Sequence, residues 1–455
     1  MSDFPTLFGT DGIRGVANQP PLTPGMVVRI GSAAVEMIAK QAPARPVVVV
    51  GRDTRRSGDL MESALLAGMI SAGASVLRAG TIPTPAVARL AREANADLGV
   101  AITASHNSFE DNGLKFFRGD GYKLSDEAEL AISNLAQSGE TKTPTPTRIG
   151  ADVGTVARIE EPLRRYLDFA RGCVPLDFTL AGLRIAVDCA NGAAFQSTPT
   201  LLRELGAEVH AFHHEPDGVN INRDCGSTHP EEIARCVRAT GAHVGIAHDG
   251  DADRLLVSDE HGEILDGDVL LAIAALDYLR RGKLAEQTLV ATVMSNFGLD
   301  ETLAKAGGKV VRTAVGDRYV LAEMVHLGLN VGGEQSGHLI FRDFSTTGDG
   351  LVSALQILAV MKSSGRPLSE LKQCLIRYPQ AQRNLAVRRK LPLAELPEVA
   401  RLVADAEQAL AGRGRVLLRY SGTEPKVRVL LEGPDESEIN RHADRIAAAL
   451  TGAIG

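Results

Sequence analysis

Three short stretches of the chain concentrate residues that can do chemistry. ITASHNSFEDNG (Ile102–Gly113) follows the apolar run ADLGVAI and sets Thr103, Ser105, His106 and Asn107 at the mouth of a strand. HDGDADR (His248–Arg254) alternates Asp249, Asp251 and Asp253 within five residues. Two carboxylates ~4 Å apart repel by about 4 kcal/mol at an effective dielectric of about 20, so three held together call for a cation. Hard carboxylate oxygens select Mg2+ or Ca2+. RYSGTEPKVR (Arg419–Arg428) offers a guanidinium, two hydroxyls and a glycine backbone in a tight turn, the composition of a phosphate cradle.

Each stretch has a rival reading. An EF-hand fits Glu260, twelfth from Asp249, but puts Arg254 where the loop needs Gly, and RLLVSD follows as a strand. Haloacid-dehalogenase-type phosphatases also use alternating Asp after a strand, but that reading leaves TASHN with nothing to do. A Ser-His-Asp hydrolase lacks its GxSxG elbow here, and His106, directly after Ser105, is an awkward base for it. Alone, RYSGTEP reads equally as a plain hairpin turn, and Arg14 in FGTDGIRG is a weak signal. A serine near a divalent cation, with DNGLKFF returning Lys115 towards it, suits phosphoryl transfer. A phosphorylatable serine, a metal loop and a separate phosphate clamp together point to a phosphomutase, which holds one phosphate while exchanging the other.

Three related segments must position these loops. Arg45–Gly80, Gly182–Phe212 and Thr288–Gly316 each read as an apolar strand, a polar turn, an amphipathic helix, a Gly-containing turn and a second strand. That is a βαβ unit and predicts parallel sheets covered by helices. After each unit comes a further strand ending in a polar loop: ADLGVAITASHN, AHVGIAHDGDADR and LGLNVGGEQSGH. Ligands bind at such loops, so three equivalent ones facing a cleft would gather Ser105, the Asp cluster and Glu334. Ala136–Gly154 is rich in Pro, Thr and Gly and reads as a linker, and the repeat stops near Gly365. The expected division is 1–154, 155–256 and 257–368 as α/β domains and 369–455 as a smaller α+β domain.

Composition narrows the class. The 455 residues carry a net charge of −7, which leaves no basic excess to neutralise nucleic-acid phosphates. Five cysteines form no CxxC pair and read as buried, reduced thiols. MSDFPTLFGTDGIRG lacks a signal-peptide apolar core and no apolar run reaches ~20 residues, so a cytoplasmic protein without a membrane partner is expected.

TASHN, DGDADR, GEQSGH and RYSGTEP, in this order and spacing over essentially the whole chain, resemble the four signature loops of the α-D-phosphohexomutase superfamily. Within it, FGTDGIRG, AVGDRYV and GGEQSGH are most similar to the bacterial phosphoglucosamine mutase family. The resemblance implies three similar mixed-sheet α/β domains around a central cleft plus a smaller C-terminal α+β domain. It implies an isomerase interconverting glucosamine 6-phosphate and glucosamine 1-phosphate, towards UDP-N-acetylglucosamine, through a phosphoserine enzyme and a bisphosphorylated sugar. Mg2+ is the implied cofactor, and a hexosamine or hexose 1,6-bisphosphate the activator and intermediate. By matched position, Ser105 would carry the phosphoryl group and hold Mg2+ together with Asp249, Asp251 and Asp253. Arg14, His106, Lys115 and Arg254 would surround the moving phosphate, with Lys115 as general base. Glu334 and Ser336 would grip sugar hydroxyls near His338, and Arg419, Ser421, Gly422, Thr423 and Arg428 would bind the other phosphate. The chain departs from the pattern with Ala252 for Gly, Tyr420 for Pro and Ser108 for Pro; a positive φ at Ala252 would cost about 1 kcal/mol. The alternatives are a phosphomannomutase/phosphoglucomutase of the same superfamily, a metal-dependent phosphatase, and a non-catalytic sugar-phosphate binding protein. The implied partner is a small sugar phosphate, and a homodimer is compatible with the resemblance.

Overall fold

Leu98–Ile102 (LGVAI) and Val244–Ala247 (VGIA) are buried at every residue. Strands apolar on both faces need cover on both sides, which a parallel sheet between helices provides. The computed structural model has that arrangement; the residues it describes are 6–39, 45–138, 148–389, 391–392, 395–420 and 426–455. They divide into two units, Met1–Thr292 with Val311–Gln373, and Val293–Val310 with Cys374–Gly455.

In the first unit, one sheet runs in the order Ile13–Val16, Asp111–Arg118, Leu98–Ile102, Val47–Arg52, Ser75–Thr81, Thr155–Arg158. Its last four strands are mutually parallel, and Asp111–Arg118 returns antiparallel to Leu98–Ile102. A second sheet runs Ile264–Leu265, Leu256–Ser258, Val244–Ala247, Arg184–Asp188, Glu208–Phe212, again parallel until Leu256–Ser258 turns back. The third pairs Thr288–Thr292 parallel to Val331–Gly333, and Leu339–Phe341 returns antiparallel to Val331–Gly333. Each sheet therefore ends its parallel set with a reversal, and each reversal carries one of the polar loops.

The second unit is α+β, as expected. Gln380–Ala386, Lys426–Glu432 and Arg415–Tyr420 form an antiparallel sheet with Lys426–Glu432 in the centre. Helix Glu436–Ile454 buries Ile439, Ala443, Ile446 and Leu450, a three- and four-residue spacing that lines one helix face, in the core shared with the sheet. Asp435 caps it, accepting from the Ser437 and Glu438 amides at 2.8 and 3.1 Å.

Two details differ from the expected division. Thr155–Arg158, placed at the start of the second division, is the edge strand of the first sheet. Leu256–Ser258 and Ile264–Leu265 stay in the second sheet, beyond the expected boundary at 256. Val293–Val310 leads into Lys309–Thr313, a strand of the third sheet, and within it Asn296 exchanges hydrogen bonds of 3.0 Å with the Tyr378 backbone and Phe297 meets the Tyr378 ring edge-on. Composition marks where an apolar pattern breaks, whereas the division of a fold follows backbone pairing and packing. Of the expected linker Ala136–Gly154, residues 136–138 end the helix Asp126–Ser138, and 139–147 lie outside the described residues. The five cysteines are not joined to one another, and four of them are buried. No described helix is long and apolar enough to cross a membrane.

Asp349 ties this framework to the Asp loop. It caps helix Gly350–Ser364, accepting from the Val352 amide at 3.0 Å and from the buried Tyr166 hydroxyl at 2.8 Å. The next amide, Gly350, donates to the Ala252 carbonyl at 3.0 Å. Burial pushes the Asp349 carboxyl up to about 6, against the Val352 and Tyr166 donors that hold it down. A carboxyl whose folded value exceeds its unfolded one takes up protons on folding, so it contributes more stability as pH falls through the folded value. Wild type should therefore gain on Asp349→Asn by about 1 kcal/mol between pH 7 and pH 5, read as the difference in denaturant midpoints. A flat or opposite trend would show that Asp349 does not titrate there.

Candidate active site

Ser105 lies in the reversal between Leu98–Ile102 and Asp111–Arg118, and only 1% of it is exposed. Its amide donates to Thr103 Oγ1 at 2.9 Å, and Thr103 Oγ1 in turn donates to Asp53 Oδ2 at 2.7 Å. These bonds hold Ser105 in the left-handed region, φ +53°. Its hydroxyl points at the second sheet's reversal, donating to Asp249 Oδ2 at 2.6 Å.

That second loop holds Asp249, Asp251 and Asp253, all buried, with ligand oxygens within 4.8 Å of one another. Burial, then repulsion from Asp253 and Asp251, pushes the Asp249 carboxyl up to about 8. Asp251 Oδ2 accepts from Thr84 Oγ1 at 2.7 Å and from Lys115 Nζ at 2.8 Å, while its Oδ1 is buried and accepts no hydrogen bond. Three converging carboxylates with a buried, unsatisfied oxygen fit a hard divalent cation such as Mg2+. Gly250 sits so close to Ser105 that a Cβ on it would lie 2.6 Å from the Ser105 carbonyl. Ala252 adopts φ +60°, so the strain expected at this departure from the family pattern, about 1 kcal/mol, is present.

Lys115 is delivered by the return strand, paired with Ala101, and lies within 2.8, 2.9 and 3.0 Å of Asp251, Asp253 and Asp11. Burial would lower its pKa, but Asp11, Asp251 and Asp253 hold it well above the ordinary lysine value. In this arrangement Lys115 is an ammonium balancing the carboxylates. The general-base role expected of it requires those carboxylates to turn their charge elsewhere. His106 is the opposite case: burial, then Arg254 and Arg14, push it down to about 4, so it is neutral, with Nδ1 3.3 Å from Ser105 Oγ. Sequence adjacency had made it an awkward partner for the serine, yet the loop brings the two into contact.

Arg14 donates to Asp11 at 2.5 Å and to the Ala104 carbonyl at 3.4 Å, and Arg254 Nε lies 4.0 Å from Asp249 Oδ2. His338 is buried between Asp253 and Asp317, with contacts of 3.6 and 3.4 Å. Glu334 accepts the Gly316 amide at 3.0 Å, and burial raises its carboxyl above the usual range. Ser336, on the same loop, is exposed. The Leu255 amide donates to the Gly337 carbonyl at 2.9 Å and joins this loop to the Asp loop. In the second unit, Arg419 and Arg428 face each other across the hairpin, and burial together with the Arg428 charge lowers the Arg419 pKa. Two facing guanidinium groups favour an anion between them. Ser421, Gly422 and Thr423 lie outside the described residues.

Four participants had not been singled out from sequence. Asp11 links Arg14, Lys115 and Lys123; Lys123 reaches it at 2.6 Å and also pairs with Asp317; Thr84 holds Asp251. Asp11 and Asp317 stand inside the quoted FGTDGIRG and AVGDRYV, so a signal existed for them. Lys123 and Thr84 stand in no quoted loop and become visible only through their partners.

Four sequence models match in series: phosphoglucomutase/phosphomannomutase alpha/beta/alpha domain I at residues 5–143, domain II at 164–262, domain III at 266–378, and the C-terminal domain at 383–449. Among curated proteins, the phosphoglucosamine mutase of Anaeromyxobacter dehalogenans is 50% identical, covering 99% of both chains. That of Geobacter sp. strain M21 is also 50% identical, over 99% of this chain and 98% of its own. Among solved structures, a phosphoglucomutase/phosphomannomutase family protein from Burkholderia thailandensis superposes with a TM-score of 0.81 at 25% identity, covering 98% of this chain and 97% of its own. The N-acetylphosphoglucosamine mutase of Aspergillus fumigatus, solved with GlcNAc-6P and magnesium, shares the fold at TM-score 0.71 and 19% identity, covering 98% of this chain and 95% of its own.

The Asp loop makes metal binding measurable without turnover. Mg2+ added to metal-free protein should raise its stability, by about 2.7 kcal/mol at a hundred times the dissociation constant, and Asp251→Asn should lose most of that gain. An equal gain in the variant would place the cation elsewhere.

Proposed function

The chain belongs to the phosphoglucomutase/phosphomannomutase family, and from that premise we propose how its residues carry out the reaction. It is a phosphomutase that interconverts glucosamine 6-phosphate and glucosamine 1-phosphate, as its half-identical, full-length relatives do by name. The observation that carries the proposed mechanism is the buried Ser105 hydroxyl set 2.6 Å from Asp249, in a loop whose three carboxylates converge.

Ser105 carries the phosphoryl group. In the first half-reaction a sugar hydroxyl attacks that phosphorus, the bond from phosphorus to Ser105 Oγ breaks, and the hydroxyl proton passes to a base. The product is the hexosamine 1,6-bisphosphate. In the second half-reaction Ser105 Oγ attacks the sugar's other phosphorus, the bond from that phosphorus to the sugar oxygen breaks, and the base returns the proton to that oxygen, so phosphate and proton counts balance over the cycle. A hexose or hexosamine 1,6-bisphosphate also primes unphosphorylated enzyme by the second step alone.

Asp249, Asp251 and Asp253, with a phosphate oxygen on Ser105, would hold Mg2+. When bound, the ion neutralises charge on the phosphate oxygens. Arg14 and Arg254 offer cationic donors beside Ser105, and neutral His106 offers a ring nitrogen beside its Oγ. Lys115 is the proposed base, able to release its proton only after Asp11, Asp251 and Asp253 have loosened their hold on it. Glu334 and Ser336, with His338 nearby, grip sugar hydroxyls common to glucose and glucosamine. Arg419 and Arg428, with Ser421, Gly422 and Thr423, hold the phosphate that is not reacting. The chain works on a small sugar phosphate in the cytoplasm and supplies the amino-sugar phosphate for UDP-N-acetylglucosamine.

Ser105→Ala should abolish turnover and the +80 Da mass gained on priming with glucose 1,6-bisphosphate, while leaving the fold intact. Undiminished turnover in a folded variant would remove Ser105 from the role. Among primed-enzyme kcat/KM values, glucosamine 6-phosphate should exceed glucose and mannose 6-phosphates by about ten- to a hundredfold, since one charge-assisted hydrogen bond to the amine contributes about 1.5–3 kcal/mol. A tenfold win for either hexose would keep the phosphomutase reading and overturn the glucosamine preference.

A further inference from the structure

We propose that Arg55 is a positioning residue for phosphoryl transfer, the group around which the Ser105 loop is wrapped. The proposal rests on Ser105 being the phosphoryl carrier. Arg55 follows strand Val47–Arg52 in GRDTRRSG and is fully buried. A guanidinium has five N–H donors in a rigid fork, and all five are used here. Nε donates to Asp53 Oδ2 at 2.9 Å. Nη2 donates to the carbonyls of Ser105 at 3.0 Å and Asn107 at 2.8 Å. Nη1 donates to the carbonyls of Asp111, at 3.0 Å, and Ser108. Four carbonyls of one seven-residue loop segment thus converge on a single cation.

The other end of the loop is held by the same pair. Asp53, which takes Arg55 Nε, also takes the Thr103 hydroxyl, and Thr103 takes the Ser105 amide. Asn222, from the segment before the Asp loop, adds its Nδ2 to the Ser105 and Asn107 carbonyls at 2.8 and 3.0 Å. Ser105 sits at φ +53°, a conformation an L-residue keeps only when its surroundings over-determine it.

The arrangement has a chemical consequence beyond holding a shape. A phosphoryl group on Ser105 is an anion, and backbone carbonyls are the negative ends of their dipoles. Carbonyls drawn onto Arg55 are turned away from the phosphate, so the loop can present its serine without repelling what the serine carries. A lysine ammonium has three donors at one point and cannot satisfy five acceptors spread over a planar fork. The loop would then shift, and displacement of a reacting atom by about 1 Å costs on the order of a hundredfold in rate.

The test compares wild type, Ser105→Ala, Arg55→Lys and Asn222→Gly, the last keeping a residue that tolerates the φ of +57° found there. Each is primed with glucose 1,6-bisphosphate, its phosphorylated fraction is read by intact mass, and kcat is normalised to that fraction. Arg55→Lys should lower normalised kcat about thirty- to hundredfold with KM within threefold. Hydrogen exchange should accelerate in the peptide spanning 103–113 and not in strand Val47–Arg52. Asn222→Gly, which removes one of two donors to the same carbonyls, should show the same pattern at about five- to tenfold, and decides the matter if Arg55→Lys does not fold. A purely structural Arg55 would lower thermal stability but leave normalised kcat unchanged in both variants, and that result overturns the proposal. If wild type itself gains no phosphate that Ser105→Ala lacks, the phosphoserine reading fails instead.

Discussion

Asp249, Asp251 and Asp253 bring three carboxylates together at buried positions, within 4.8 Å of one another. Charge of one sign cannot be concentrated out of water without an answering charge. The surrounding structure supplies part of it: Lys115 reaches Asp251 and Asp253, the Ser105 hydroxyl and Arg254 lie against Asp249, and the Asp249 carboxyl is still pushed up to about 8. The negative charge left over suits a hard divalent cation.

Cations placed to offset that loop must themselves be held. Asp11 does this twice, pairing with Lys115 at 3.0 Å and with Lys123 at 2.6 Å, and Lys123 extends the chain to Asp317 beside His338. Acidic and basic groups alternate from Arg14 through to Asp317, so each buried charge faces an opposite one. Such a network resists single substitutions poorly, because removing one member strands its neighbours. It also couples the serine loop, the Asp loop and the Glu334 loop through side chains, in addition to the backbone bond from Leu255 to Gly337.

The architecture that makes this possible is a strand reversal used three times. A parallel strand delivers its C-terminal end to the site and an antiparallel strand carries the chain back, leaving a short, polar connection at the mouth of each sheet. A polar loop can be short and strained there because its flanking strands are paired in the sheet. Ser105 at φ +53° and Ala252 at φ +60° are two such strained positions, one in the serine loop and one in the Asp loop.

The chemistry was legible before the fold. ITASHN, DGDADR and GEQSGH are local strings, and hydroxyls, carboxylates and amides in consecutive positions announce themselves because side-chain chemistry is a property of residue type. Alternating apolar strands and amphipathic helices announced α/β layers for the same reason, since burial patterns are periodic along the chain. The edges of the sheets were not legible: Thr155–Arg158 joins a sheet whose neighbouring strand, Ser75–Thr81, lies far back in the chain. Arg55, Lys123 and Thr84 were silent as well. Nothing in their own surroundings in the sequence distinguishes a surface arginine from one that binds four carbonyls of a loop about fifty residues away. The sequence by itself determined which groups could react, because reactivity is written residue by residue. Only the tertiary structure decided which groups hold them still, because positioning depends on distances between segments that the chain's order does not encode.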